Sequence, residues 1–394
     1  MKQNGIVELR IAEPIEDLEE RIKTHKYMFW KRIIVTSLVL IMIVGGTYLL
    51  LTFKTYTQTK VVTTYGNEST TNSKYITFAN GILKYGRDGV LLLNKKGEEL
   101  WNQPYQIKTP IIDICGDTLA IGDSGGNSIL VFEKDGLKGE IQTNLPIEEI
   151  SVSAQGVVAA LLKNEEAPKI ICYDAKGNIL VTHNKPVSDN GYPVGISLSK
   201  KGTMLLVSYL YVENGTYSSK IAYYNFDKVG GDKTDNEVTT AEYKNSIMPT
   251  TFFLNDTTSV VIGDHSFVIY EGKQIPEQKV EVKLNKEIES VVHTDNAIGF
   301  VLKNLKKGYE LRIYDRNGKQ KMSKNFTGEY SNIQMIDNQI LMFDGRNCNI
   351  YSTNGVNRFK GELETSIQTI FPILGMNKYI VINANGIEEI RLVK

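Results

Sequence analysis

From residue 91 onward one short pattern keeps returning in this chain. An apolar run ends in a large or aromatic residue, a polar turn with a glycine follows, and a second short run begins. The pattern is clearest in LLLNKKGEELW (91–101), LVFEKDGLKGE (130–140), IICYDAKGNILV (170–181), LRIYDRNGKQKM (311–322) and CNIYSTNGVNRF (348–359). IAYYNFDKVGG (221–231) and FVIYEGKQIPEQ (267–278) are looser copies. The residue before the turn is Leu93, Phe132, Tyr173, Tyr224, Tyr270, Tyr314 and Tyr351, at spacings of 39, 41, 51, 46, 44 and 37, and one more step of 41 reaches Leu392. A period near 40 to 50 residues, made of short strands, marks units that bury their faces only against their neighbours.

Each repeat also carries two earlier strands. In the third copy these are EEISVS (148–153) and VVAALL (157–162), ahead of KIICYD and NILVTH. Four antiparallel strands make one blade of a β-propeller. Glycine in each turn supplies the positive φ that a tight hairpin or its bulge requires. Runs such as GVLLL and VVAALL, apolar without alternation, suit strands covered on both faces by adjacent blades. The 339 residues of 56–394 share out at about 42 per unit. The expected fold is therefore an all-β, eight-bladed propeller, with seven blades as the alternative. The last copy ends at its third strand, so YTQTKVVTTY (56–65) is expected to serve as its fourth and close the ring.

The turn words resemble those of PQQ-like and YVTN-like propeller repeats, in which a strand-ending Asp, a glycine turn and a later Trp recur. NKKGEELW (94–101) is the closest match, with Asn94 in place of the Asp, while YDAKGNIL and YDRNGKQK match only the turn. Trp101 is the only Trp of the repeat region, so the resemblance does not imply the quinone cofactor, and none is expected. The layout is also similar to that of uncharacterised membrane-anchored propeller proteins of Gram-positive bacteria.

Ahead of the repeats, residues 33–53 read IIVTSLVLIMIVGGTYLLLTF without a charge. As a helix this run is about 30 Å long, enough to cross a hydrocarbon core. The alternative, a cleaved signal peptide with Val44-Gly45-Gly46 as its site, fits less well with a 32-residue leader. Arg21, Lys23, Lys26, Lys31 and Arg32 precede the span within 15 residues and only Lys54 and Lys60 follow it, which puts the N-terminus inside. The expected layout is a cytoplasmic segment at 1–32, a single-pass transmembrane helix at 33–53 and an extracytoplasmic propeller at 54–394. In the cytoplasmic segment Ile15, Leu18 and Ile22 fall on one stripe of a short juxtamembrane helix, a candidate contact for a cytoplasmic protein partner.

The chemistry-bearing residues are sparse. Outside the first 53 residues, 38 basic face 39 acidic residues, so charge points to no nucleic acid. Cys115, Cys172 and Cys348 lie in apolar runs and read as core residues. GDSGG (122–126) spells a serine-protease nucleophile motif, but the only upstream histidine is His25, and the motif falls in a turn between two strands. His183, His265 and His293 have no second ligand at metal spacing, so no metal site is expected. Blade four, SYLYVENGTYSSKIAYYNF (208–226), is enlarged and tyrosine-rich; Tyr209, Tyr211 and Tyr217 are the candidate platform for a protein or glycan partner. The composition favours a membrane-held, non-catalytic binding, scaffold or sensing module. The rival is an envelope glycan hydrolase or lyase, which would need acidic or histidine side chains converging at the ring axis.

Overall fold

A computed structural model describes residues 15–66, 73–164, 167–304, 308–328, 330–375 and 377–394. The chain divides into two compact units, 1–54 and 55–394. In the first, Ile15–Thr52 is one continuous helix of 38 residues. Its stretch Glu20–Leu50 is long and apolar enough to cross a membrane. Ile22 is exposed, and the side chains of Ile15 and Leu18 lie outside the described residues, as do residues 1–14 of the expected cytoplasmic segment.

The second unit is an eight-bladed propeller. Eight four-stranded antiparallel sheets cover 74–104, 110–142, 147–184, 192–244, 250–283, 288–326 and 332–362 as blades one to seven, with 367–393 joined by Gln58–Tyr65 as blade eight. The repeat explains the local structure. In blades one to seven the register between third and fourth strands shifts by one residue at the recurring position: Leu93, Phe132, Tyr173, Tyr224, Tyr270, Tyr314 and Tyr351. The turn after it is set by side-chain chemistry. In blade three the Asp174 carboxylate accepts the amides of Lys176 and Asn178, both at 2.9 Å, and the Gly177 amide closes on the Asp174 carbonyl. Gly177 sits at φ 87°, where a Cβ would be strained. Asp315 and Gly318 repeat this arrangement in blade six. A turn of this kind followed by a bulge tilts the outer strand and adds twist.

The core is divided among the blade interfaces. Eight apolar clusters fill them, one for each neighbouring pair, including Ile82, Leu93, Phe371, Ile380, Ile382 and Ile387 between blades eight and one. Aromatic residues pack against one another in several of them. Phe267, Phe300 and Tyr314 meet between blades five and six with ring centres 4.9 to 5.9 Å apart. Trp101 stacks on Phe132 and donates to the Lys134 carbonyl at 2.9 Å, joining blades one and two.

Gln58–Tyr65 pairs antiparallel with Gly386–Val393, from Gln58 opposite Val393 to Tyr65 opposite Ile387. Just before it, Tyr56 is buried beside Phe359 of blade seven, and its amide donates to the Arg358 carbonyl at 2.8 Å. A propeller beginning at residue 73 should therefore melt well below one beginning at residue 55. The loss of an eight-residue strand, seven of its residues paired in the ladder, and of the Tyr56 contact is on the order of 4 kcal/mol. Equal melting temperatures in a calorimetric comparison would show that the ring closes without this strand.

Candidate functional site

Two places on the propeller gather groups that could meet a ligand. One is the ring axis, where a cavity of about 600 Å³ is walled by the first strands of blades two to six. Asp113, Glu148, Glu149 and His293 come from those strands, and Lys200 and Asp295 from the turns that follow two of them. Four first strands carry a bulge, which leaves Glu148, Val194, Glu289 and Gln368 as the extra residue. A bulge on an inner strand re-aims side chains toward the axis.

Most of these polar groups join one blade to the next. The Asp113 carboxylate accepts the Val152 amide at 2.7 Å, and the Ser151 hydroxyl accepts the Leu198 amide at 3.0 Å. The Glu149 carboxylate accepts from the backbone of Ile196. Tyr192 donates to Glu148 at 2.6 Å, and Gln334 donates to the Ile370 carbonyl. Lys200 pairs with Asp295, reaching past blade five to tie blades four and six. Burial pushes the Asp113 carboxyl above the usual range against three hydrogen bonds that lower it. Burial also pushes Glu149 up to about 7, opposed by the Ile196 amide and helped by the negative charge of Asp113. Burial lowers the His293 pKa, and the ring stacks on Phe252 at 3.9 Å. Among the described residues no group of three His, Cys, Asp or Glu could hold a metal ion.

The other place is the face that carries the turns between second and third strands and the links between blades. Blade four projects there. Its strands Met204–Glu213 and Thr216–Asn225 have ten residues each and pair to the tip, where Glu213 is opposite Thr216. Asn214 and Gly215, at φ 51° and 79°, form the two-residue turn that matches strand twist. The flanking strands stop short, at Tyr192 opposite Leu210 and Ser218 opposite Lys244, so both edges of the tip lack a ladder partner. Val212 and Tyr217 are cross-strand partners, 63% and 56% exposed. Strand alternation puts them on the side of Leu206, Ile221 and Tyr223, which faces blade five. On that side Ser219 donates to the Ser246 carbonyl at 3.1 Å and accepts the Met248 amide at 2.9 Å. The loop so held carries Ile247, the first residue of a cleft of about 800 Å³ between blades five and six. Its floor is Ile247, Pro249, Ile262, Ile288 and Val291, and Asp264, His265, Lys286, Glu287 and Lys303 stand around it.

The three candidate tyrosines of blade four do not form one platform. Tyr209 is 3% exposed, and its hydroxyl meets that of Tyr224 at 3.0 Å in the interface with blade three. Tyr211 shares that side by alternation, half-buried, whereas Tyr217 is on the other. His183 touches the Tyr224 ring at 3.8 Å between centroids, and burial, then Lys185, lowers its pKa to about 4. GDSGG is a turn: Asp123 accepts the Thr109 amide at 2.9 Å and the Gly126 amide closes on the Asp123 carbonyl. Sequence reasoning passed over Asp113 and Glu149. Their signal was a carboxylate inside an otherwise apolar first strand, in IIDIC (111–115) and EEISV (148–152).

Glu149 gives a sign-definite test. A carboxyl raised from 4.5 to about 7 contributes stability that is complete below pH 4.5 and is lost as pH rises through 7. Glu149→Gln should match the parent protein at pH 4.5 and exceed it at pH 8 by on the order of 2 kcal/mol in urea unfolding. A difference independent of pH would mean that the carboxylate is already ionised at low pH and held by the Ile196 amide.

Solved structures share the fold at 11% identity. BamB from Moraxella catarrhalis covers 85% of this chain and 100% of its own, with a TM-score of 0.52. The computationally designed Ika8 protein covers 85% and 100% with a TM-score of 0.57, and Sqt1 from Saccharomyces cerevisiae 87% and 99% with 0.52. No curated protein matches the sequence. A family model does, over residues 52–392, and the chain thus belongs to the family of unknown function DUF5711.

Proposed function

We propose that this chain is a single-pass membrane protein, its N-terminus cytoplasmic and its propeller extracytoplasmic, and that the propeller is a non-catalytic module binding a protein partner. The observation that carries the reading is at the axis. There Asp113, Glu149 and Ser151, the groups best suited to acid–base or nucleophilic work, are occupied with backbone amides of the next blade. Groups so engaged hold the ring together and leave recognition to the face where blade four projects. The resemblance to BamB and to other propellers supports the fold and fits a scaffold. The likeness of the repeat turns to PQQ-like repeats, and of the layout to membrane-anchored propellers of Gram-positive bacteria, supports the placement at a cell surface. The stripe Ile15, Leu18 and Ile22 is proposed as a contact for a cytoplasmic protein.

One observation favours a second reading. Asp113 and Glu149 are neighbouring carboxyls with raised pKa values in a cavity, a pattern that also serves glycan cleavage. Incubation with purified envelope glycan separates the two. Release of fragments by the parent protein, abolished in Asp113→Asn, would establish the enzyme; an intact polymer supports the binding module.

Topology follows from the five-to-two excess of flanking positive charge. Protease added to intact protoplasts should digest the propeller and spare an N-terminal tag. Loss of the tag with survival of the propeller would reverse the orientation. Cross-linking the full chain in membranes, followed by purification, should yield a stoichiometric protein partner attached to the propeller.

A further inference from the structure

We infer that the cleft between blades five and six, together with the projecting hairpin of blade four whose Ser219 holds the loop bearing Ile247, receives an uncharged apolar segment of extended chain from the protein partner. This rests on the reading of the propeller as a binding module and assigns the module its binding surface.

Charge is the first argument. The ionic groups around the cleft are already paired with one another or with the blades. Lys286 contacts Glu310 at 2.6 Å, Lys303 contacts Glu287 at 3.4 Å, and Asp264 accepts the Ser246 hydroxyl at 2.9 Å with His265 at 3.7 Å. A charged ligand would have to break such a pair and lose its own hydration, whereas an apolar one covers the floor of Ile247, Pro249, Ile262 and Val291. Size is the second. About 800 Å³ is the volume of a cleft that takes a small ligand or a few side chains, which one chain segment can supply.

Backbone chemistry gives the third argument and sets the conformation. Residues 212–213 and 216–217 run beyond the last pairs of the flanking strands, and their main-chain donors and acceptors have no ladder partner on the outer side of either strand. An extended segment can pair with such an edge while placing alternate side chains into an apolar cleft. Val212 and Tyr217 stand on the side of the hairpin turned toward blade five, and Ser219 on that side holds the loop that bears Ile247. The hairpin and the cleft thus share one support, and a segment along the edge continues over Ile247, itself 36% exposed.

The test uses the full chain in lipid nanodiscs, panned against a phage-displayed library of random dodecapeptides. Enriched peptides should be rich in Leu, Ile, Val and Phe and poor in Lys, Arg, Asp and Glu. A synthetic peptide of the selected sequence should bind about tenfold more weakly to Ile247→Asp and to the pair Val212→Ser with Tyr217→Ser. Those side chains are exposed, so the ring should melt unchanged. Leu374→Asp, at a 94% exposed turn on the opposite face, should bind as the parent does. The assignment is overturned if enriched peptides are charged, if none is enriched, if soluble glycan fragments displace them, or if Ile247→Asp leaves the affinity intact. The broader reading has its own control. If the cross-linked membrane partner is retained by Ile247→Asp, the cleft is wrong and the binding module stands; if the parent chain captures no partner, the module reading itself falls.

Discussion

Everything in the propeller depends on each blade being covered on both faces. The second and third strands are close to uniformly buried, as in TLAIGD and VAALL, and no blade could hold such strands alone in water. A ring is the arrangement in which every sheet has two neighbours. The eight interface clusters are the main source of cohesion, and the pairing of Gln58–Tyr65 with Gly386–Val393 completes the last sheet. Near the axis, where blades converge and there is little room for large side chains, hydrogen bonds from Asp113, Ser151 and Gln334 to the next blade take over from apolar packing.

This division of labour shapes what the molecule can offer a ligand. Groups at the axis are chemically capable but structurally occupied, and the strut from Lys200 to Asp295 crosses beside them. The hairpin of blade four lies away from them, on the face that carries the turns between second and third strands. Lengthening two strands of blade four lifted a hairpin away from the ring without disturbing the interface below it, where Tyr223 and Tyr224 remain fully buried. Variation in loop and hairpin length on a fixed ring is how a repeat fold acquires recognition without losing its core.

The eight-bladed fold was legible because the repeat is local. Leu93, Tyr173 and Tyr314 recur where the third strand meets its turn, and the strand bulge at each of them is written in the same few residues: a large or aromatic residue, Asp or Asn, two more residues, Gly. The apolar span at 33–53 was legible for a similar reason, since length and lack of charge are additive along a sequence. The sites were not. The cavity at the axis takes Asp113, Glu149 and His293 from three different blades, and the cleft takes Ile247, Ile262 and Ile288 from loops and strands of two. Proximity there is created by closure, which no window of residues records. Tyrosine enrichment in blade four did mark the unusual blade. It could not tell Tyr209, facing the interior, from Tyr217, facing solvent, because the difference lies in how far beyond the ring each strand position extends and in which side of the blade it takes.

The closing strand has a kinetic consequence. Gln58–Tyr65 pairs with residues more than three hundred positions away, the longest separation of any strand pair in the ring. A ribosome releases the first partner long before the second exists. Until then Val61, Tyr65 and the open flanks of the growing stack of blades have only water or one another to contact. Local hairpins can form early, since their partners are near in sequence, but the final cooperative gain waits on a single late encounter with a large loop entropy to overcome. Such a chain folds slowly at its last step and, once shut, has no terminal blade with an uncovered face from which unfolding can begin cheaply. Its resistance to unfolding is then a matter of rate as much as of equilibrium.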